Sequence, residues 1–151
     1  MSKKQLTIEC IAALIISLFL YAGVSKFAAF RTFADQLNNQ PLPNSWTPFL
    51  VWTIPLLEIG ISTALVFECS RLLGFVAAMV LMSLFTVYTA LVLFHFFAYV
   101  PCSCGGVIQR LTWPQHLLLN LGFTTLSALG IKLQHRKLFK SIFITNKQTF
   151  V

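Results

Sequence analysis

The sequence is poor in charge, and acidic residues are especially scarce. Only 10% of its 151 residues are charged, and Asp and Glu together number 4. A soluble domain of ordinary composition carries about 25% charged residues. The shortage excludes an ordinary soluble enzyme or soluble binding module, and the length suits one compact bundle without a separate soluble domain.

Internal repeats and low-complexity segments are also lacking, and the basic excess has no nucleic-acid pattern. The 11 Lys and Arg residues give a formal net charge of +7. A nucleic-acid-binding domain would gather such charge on a recognition helix or on a stripe that alternates with stacking aromatics. Here the positive residues cluster at the ends of apolar segments. We therefore expect no nucleic-acid partner and attribute the charge to membrane topology.

The sequence is rich in hydrophobic residues. Hydrophobic residues make up 57% of the chain, and the mean hydropathy is +0.79. A membrane-spanning helix needs about 20 apolar residues, and four stretches supply them: residues 7–29, 47–67, 72–100 and 113–133. The sequence predicts an all-α integral membrane protein, a four-helix transmembrane bundle. The third stretch is long, and we expect it to tilt or to project beyond the bilayer.

The distribution of Lys and Arg predicts the orientation. Eight of them fall on the side of the termini and the second-to-third connection, and three, Lys26, Arg31 and Arg110, fall on the other side. Positive residues accumulate on the cytoplasmic side, so both termini are expected there, in a bacterial inner membrane. Residues 1–133 form the predicted bundle domain and residues 134–151 a basic cytoplasmic tail, which either lies along the lipid surface or frays.

The connection between the third and fourth spans contains the short motif "PCSCGGVIQ". Cys102 and Cys104 are separated by one residue, and the predicted topology places them in the oxidising periplasm. A disulfide between them would close a small, strained ring, and strain makes such a bond labile. Redox exchange explains such a pair better than a structural staple does. A tight turn built from small residues explains the motif equally well. Cys10 and Cys69 are expected to be reduced and inert.

Ionisable and polar residues within the spans are candidate functional residues, because charge in a membrane is costly. The outer half of the bundle is expected to hold five of them: Lys26, Glu58, His95, His116 and Asn120. His116 and Asn120 are four residues apart and so share a helix face. Glu58 is either protonated, paired with Lys26 or a histidine, or exposed to a wet cavity. Lys26 could instead extend to the headgroups, and the histidines could be ordinary interfacial residues.

The sequence does not favour a metal site. Cys102, Cys104, His95 and His116 offer two thiols and two imidazoles, a set that suits zinc or copper. No pair among them has the CxxC or HxxxH spacing typical of such sites. We therefore expect no metal.

Glycine and proline within the spans predict local packing. Gly60, Gly74 and Gly122 are expected to permit close contact between helices. Pro55 lies one turn before Glu58, and we expect it to kink the second span.

Three segments together resemble a known family. The segments are "LFLYAGVSKFAAF", "PLLEIG" and "CSCGG…LTWPQHLLLN", in this order. They resemble the MauE branch of the DoxX-like membrane proteins, and most of all the Bacteroidetes-type proteins with a CSCGG loop. The resemblance covers residues 6–132. By position, Cys102 and Cys104 match the family's cysteine loop, Lys26 and Glu58 the "SKF" and "PxLE" positions, and His116 and Asn120 the "WxxHLxxN" stretch.

The resemblance implies a redox-associated membrane protein. MauE proteins are implicated in periplasmic disulfide formation during methylamine dehydrogenase maturation. We accordingly expect thiol–disulfide exchange at Cys102 and Cys104, with His116 holding the proton and with a quinone as the possible electron acceptor. The expected partner is a periplasmic thiol protein. Two alternatives stay open: a non-enzymatic subunit of a larger membrane complex, and a membrane protein that binds a lipid or small hydrophobic ligand.

Overall fold

The computed structural model describes residues 3–41, 43–97 and 111–148, with side chains described as far as residue 137. These residues form helices and turns and include no strand. The described helices are α1 (Lys3–Ala28), α2 (Phe30–Asn38), α3 (Thr47–Val66), α4 (Arg71–Leu93) and α5 (Trp113–Gln148), and a 3₁₀ turn at Asn44–Trp46 leads into α3.

Four of these helices can span a bilayer, which confirms the predicted all-α membrane fold. By length and composition the spans are Lys3–Ala28, Asn44–Val66, Arg71–Leu93 and Trp113–Lys137. Large apolar side chains point outward along them, among them Leu20, Leu73 and Leu118. An outward apolar surface of this kind suits lipid, because lipid tails are as apolar as leucine. The chain is a multi-pass membrane protein.

The third span is shorter than expected, because α4 ends at Leu93. His95 adopts a positive φ of 55°. Its N–H donates to the Val92 carbonyl (3.1 Å), and the Phe96 N–H donates to the Leu91 carbonyl (3.0 Å). These two bonds form a Schellman cap, which satisfies the last carbonyls and stops the helix. The prediction that the span continues beyond this point is wrong for residues 94–97, and residues 98–100 lie outside the described part.

Two further elements are the short helix between the first two spans and the long last helix. The first connection contains α2, whose Phe33 and Leu37 are buried against Val51 of α3. The last helix, α5, has 36 residues, which is about 54 Å at 1.5 Å per residue. It passes residue 133 without a break, so the expected basic tail starts as a continuation of the fourth span.

The larger buried core lies in the half of the bundle that contains the start of α1. There a buried core is formed by α1, α3 and α4, with residues such as Ile8, Leu65 and Phe75. Glycine lets helices approach closely in this half: a Cβ on Gly74 would lie 2.8 Å from Leu65, and one on Gly130 would lie 2.5 Å from the Phe75 ring.

The expected role of glycine is therefore confirmed at one of three positions. Gly74 is in close contact with a neighbouring helix, as predicted. The prediction is wrong for Gly60 and Gly122, because a Cβ on either would have nothing within 4 Å. Gly23 and Gly130, which the sequence did not single out, hold close contacts instead.

Candidate functional site

The other half of the bundle encloses a cavity. We call this half the connection end; it contains the last turns of α1 and α4 and the first turns of α3 and α5. The cavity has a volume of about 330 Å³ and is lined by residues from all five helices. Its wall is mostly apolar. The polar residues that line it are Lys26, Gln40, Glu58, Tyr88, Thr89, His116 and Asn120.

Lys26 and Glu58 form a buried ion pair at this cavity. The Lys26 Nζ lies 2.8 Å from Oε1 and 3.0 Å from Oε2 of Glu58. The two side chains are only 8% and 2% exposed. Lys26 also donates to the Ala22 carbonyl (3.4 Å) and lies 5.8 Å from the centre of the Phe33 ring. Of the states considered for Glu58, the structure has the one paired with Lys26, so this wall carries two opposite charges that balance.

Close packing of α1 on α3 brings the two residues together. Gly23 lies one turn before Lys26, and a Cβ there would be 3.0 Å from Ile59 and 3.2 Å from the Pro55 carbonyl. Any larger side chain would crowd these atoms, so glycine here permits the close approach of the two helices. Gly23 therefore positions Lys26 within reach of Glu58.

The α4–α5 wall carries a second polar group. Asn120 Nδ2 donates to Thr89 Oγ1 (3.2 Å), and the Thr89 hydroxyl donates to the Phe85 carbonyl (2.7 Å). Both side chains are buried. His116 lies one turn before Asn120 on the same face and lines the cavity beside Trp113, with 6.2 Å between the two ring centres. The predicted pair of His116 and Asn120 thus faces the same space as Lys26 and Glu58.

A hydrogen bond that the sequence did not predict crosses the cavity from α4 to the segment after α2. The Tyr88 hydroxyl donates to Gln40 Oε1, and Gln40 Nε2 donates to the Gln36 carbonyl (3.0 Å). Tyr88 and Gln40 were hard to recognise as site residues, because one is a lone tyrosine in an apolar helix and the other a glutamine before a proline. The bond joins the α2–α3 connection to α4 and closes one side of the cavity.

One predicted site residue in the described part of the chain does not line the cavity. His95 is exposed in the turn after α4 and is not among the lining residues. Cys102 and Cys104 lie outside the described residues. Cys10 and Cys69 are exposed free cysteines. Among the described residues, no three His, Cys, Asp or Glu side chains lie close enough together to hold a metal.

The cavity suits an amphiphilic molecule better than a strongly charged one. Ligand sites are commonly apolar clefts with a few well-placed polar groups, and this one has polar groups on two facing walls. Burial of an unpaired charge is costly in a membrane. A molecule with a small polar head and an apolar body therefore fits the lining.

One comparison with known proteins identifies the family. The family model described as methylamine utilisation protein MauE matches residues 4–133. No curated protein and no solved structure matches the chain. Because the match covers most of the sequence, the chain belongs to the MauE family.

Proposed function

We propose that this MauE-family membrane protein exchanges thiols and disulfides with a partner protein in the bacterial periplasm, through Cys102 and Cys104. The exchange would assist disulfide formation in the partner and so its maturation. The membrane accessory role that the family suggests supports this proposal. The observation that carries it is the cavity at the connection end. Trp113 and His116 line that cavity, and they lie in the first turn of the helix that follows the cysteine segment, residues 101–109.

The exchange is a balanced two-electron reaction. A partner thiolate attacks the Cys102–Cys104 disulfide, which breaks as a mixed disulfide forms. A second partner thiolate then displaces the bound cysteine, and the partner leaves oxidised while Cys102 and Cys104 are left as thiols. The strain of a ring with one intervening residue favours attack. His116 is the candidate to take and return the thiol proton, since it stands at the start of α5.

Return of the cysteines to the disulfide requires an oxidant, and a ring quinone is the candidate. A quinone bound in the cavity would accept two electrons and two protons and leave as quinol. The lining fits such a group: the wall is apolar, the Lys26–Glu58 pair carries no net charge, and His116 and Asn120 provide polar contacts. The cavity lies at the end of the bundle to which the cysteine segment is attached.

Thiol trapping in intact cells tests the proposal. Cells are quenched in acid, alkylated and examined by gel shift, with Cys10 and Cys69 replaced by serine so that only the loop cysteines report. We expect the Cys102–Cys104 pair to shift between oxidised and reduced forms as the culture redox state changes. A Cys102→Ser, Cys104→Ser protein that matures its partner at the full rate would overturn the proposal.

The cavity also favours a second candidate function. A mostly apolar cavity with polar groups suits the binding of a lipid or another small hydrophobic molecule without any redox step. In that case the cysteine segment would be a structural turn. Loss of ligand binding in Glu58→Gln, together with cysteines that stay reduced under all conditions, would favour this second function over the first.

A further inference from the structure

We infer that the cavity binds the uncharged ring head of a bilayer-resident amphiphile, and that this molecule enters sideways from the lipid between α3 and α4. The inference deepens the proposed function, because it names the ligand class and the route for the same cavity. It does not depend on the cysteines. Four features of the cavity support it: the charge of the lining, the volume, the position of the polar groups and one exposed lining residue.

The charge of the lining selects an uncharged head. Lys26 and Glu58 bind each other through two short contacts. Among the described cavity-lining residues there is no further Asp, Glu, Lys or Arg. A phosphate or carboxylate head would therefore meet no permanent cation among these residues other than Lys26, which Glu58 already balances, and burial of an unbalanced charge is costly. Anionic phospholipids and fatty acids are disfavoured for this reason.

The volume of the cavity fits a single ring head and leaves its hydrocarbon tail outside. The cavity holds about 330 Å³, near the lower end of the range of about 300–1,000 Å³ for small-molecule sites. A complete lipid with its chains does not fit this space. A ring does, and a hydrocarbon tail on it must then leave through an opening into the bilayer.

Polar groups on two facing walls suit a ring with oxygens on opposite edges. Lys26 and Glu58 belong to the α1–α3 wall, while Thr89, His116 and Asn120 belong to the α4–α5 wall. A ring between them can make hydrogen bonds on both sides and still place its apolar faces against leucine and phenylalanine. An alkylated quinone has this combination of features.

Leu84 lies at the opening from the cavity to the bilayer. It lines the cavity and yet is 61% exposed, and it lies nine residues before the end of α4, about 13 Å along the helix. At that depth the exposed side of a spanning helix faces lipid. Helices α3 and α4 are in tight contact where Gly74 meets Leu65, whereas at the connection end Ile54 and Leu84 line the cavity. The route from the bilayer is therefore assigned to the connection end, between α3 and α4.

Trp113 offers a direct test of binding, because it is the one tryptophan among the cavity-lining residues. In a Trp46→Phe, Trp52→Phe protein in lipid nanodiscs, Trp113 is the remaining tryptophan, and quinones quench its emission on contact. We expect saturable quenching by a benzoquinone with a ten-carbon tail, and no displacement of that quinone by a fatty acid. Quenching that rises linearly without saturation, or displacement by the fatty acid, would overturn the inference.

A matched pair of variants shows whether the ligand sits in the cavity. Ala22→Phe fills part of the cavity, and we expect it to weaken binding by about tenfold or more. Ala13→Phe adds the same group at an exposed position of α1 and should leave binding unchanged. Thermal unfolding of both proteins identifies any loss of folding. Equal affinity in two folded variants would overturn the placement of the ligand.

A second pair tests the route, with stopped-flow quenching as the measurement. Leu84→Phe narrows the opening and should slow association several-fold, whereas Leu73→Phe, at another outward position of α4, should not. Equal association rates in the two proteins would overturn lateral entry.

The cysteine double variant separates this inference from the proposed function. Saturable quenching that survives Cys102→Ser, Cys104→Ser supports the cavity assignment on its own. If that variant also matures its partner at the full rate, the redox function fails while the ligand site stands.

Discussion

Lys26 on α1 binds both carboxylate oxygens of Glu58 on α3, at 2.8 Å and 3.0 Å, across 32 residues of sequence. The contact joins two spans at the level of the cavity. The chain has four acidic residues, and two others, Glu9 and Glu68, also form ion pairs, at the opposite end of the bundle. Among the described residues the buried charged side chains are Lys26, Glu58 and Arg71, and each lies in an ion pair, as the cost of an isolated charge in a membrane requires.

Breaking this pair should cost more than removing it. Lys26→Met leaves the Glu58 carboxylate buried without its partner, and we expect a loss of about 3–5 kcal/mol of stability. The double variant Lys26→Met, Glu58→Met replaces both charges with apolar groups and should recover most of that loss. Denaturant unfolding in detergent measures both. A double variant as unstable as the single one would contradict the argument.

The sequence predicted this pair only as one of several states for Glu58. The cost of a lone carboxylate in a span restricts the choice, but the partner depends on which faces of two helices meet. That in turn depends on Gly23, whose close contact with Pro55 and Ile59 brings α1 onto α3. The spans themselves were predictable, because length and hydropathy suffice to place them.

Gly130 and Gly122 provide a matched test of helix packing on α5. A Cβ at Gly130 would lie 2.5 Å from the ring of Phe75, which is fully buried. Gly130→Ala should therefore destabilise the protein by about 1–3 kcal/mol through overpacking. Gly122→Ala meets nothing within 4 Å and should be neutral or stabilising, since alanine favours a helix over glycine by about 1 kcal/mol. Thermal unfolding of the two variants measures the difference, and equal losses would contradict it.

Sequence alone could not separate these two glycines. A spanning helix is apolar on all sides, so its periodicity does not reveal which face meets another helix. The position at which α4 ends could not be predicted from the sequence for a similar reason. The apolar run continues past Leu93, and the cap that ends the helix depends on a positive φ at His95, a conformation open to few residues other than glycine.

Arg71 and Lys137 allow a comparison of a buried and a half-buried cation at the other end of the bundle. Arg71 is 5% exposed and donates to the Leu65 carbonyl (3.1 Å) and to Glu9 (2.7 Å). Hydrogen bonds to charged groups contribute about 1.5–3 kcal/mol each, so Arg71→Met should lose at least about 2 kcal/mol.

Lys137 is the control for that change. It lies 3.4 Å from the exposed Glu68, and such pairs contribute about 0–1 kcal/mol. Lys137→Met should therefore change stability only slightly. Chemical unfolding in two salt concentrations measures both effects. Similar losses for the two variants, or a strong salt effect on the Arg71 variant, would contradict the assignment of Arg71 as the buried cation.

The orientation in the membrane decides whether the cysteine segment can meet oxidising partners. Cys69 lies in the turn between α3 and α4, and Ser45 lies before α3 at the connection end; both are exposed. If the connection end faces the periplasm, a membrane-impermeant maleimide should label Ser45→Cys in intact spheroplasts. Cys69, in a protein with the other cysteines replaced, should react only after the membrane is opened. The reverse pattern would place Cys102 and Cys104 in the reducing cytoplasm, where a disulfide rarely persists, and the proposed exchange with a periplasmic partner would then be impossible.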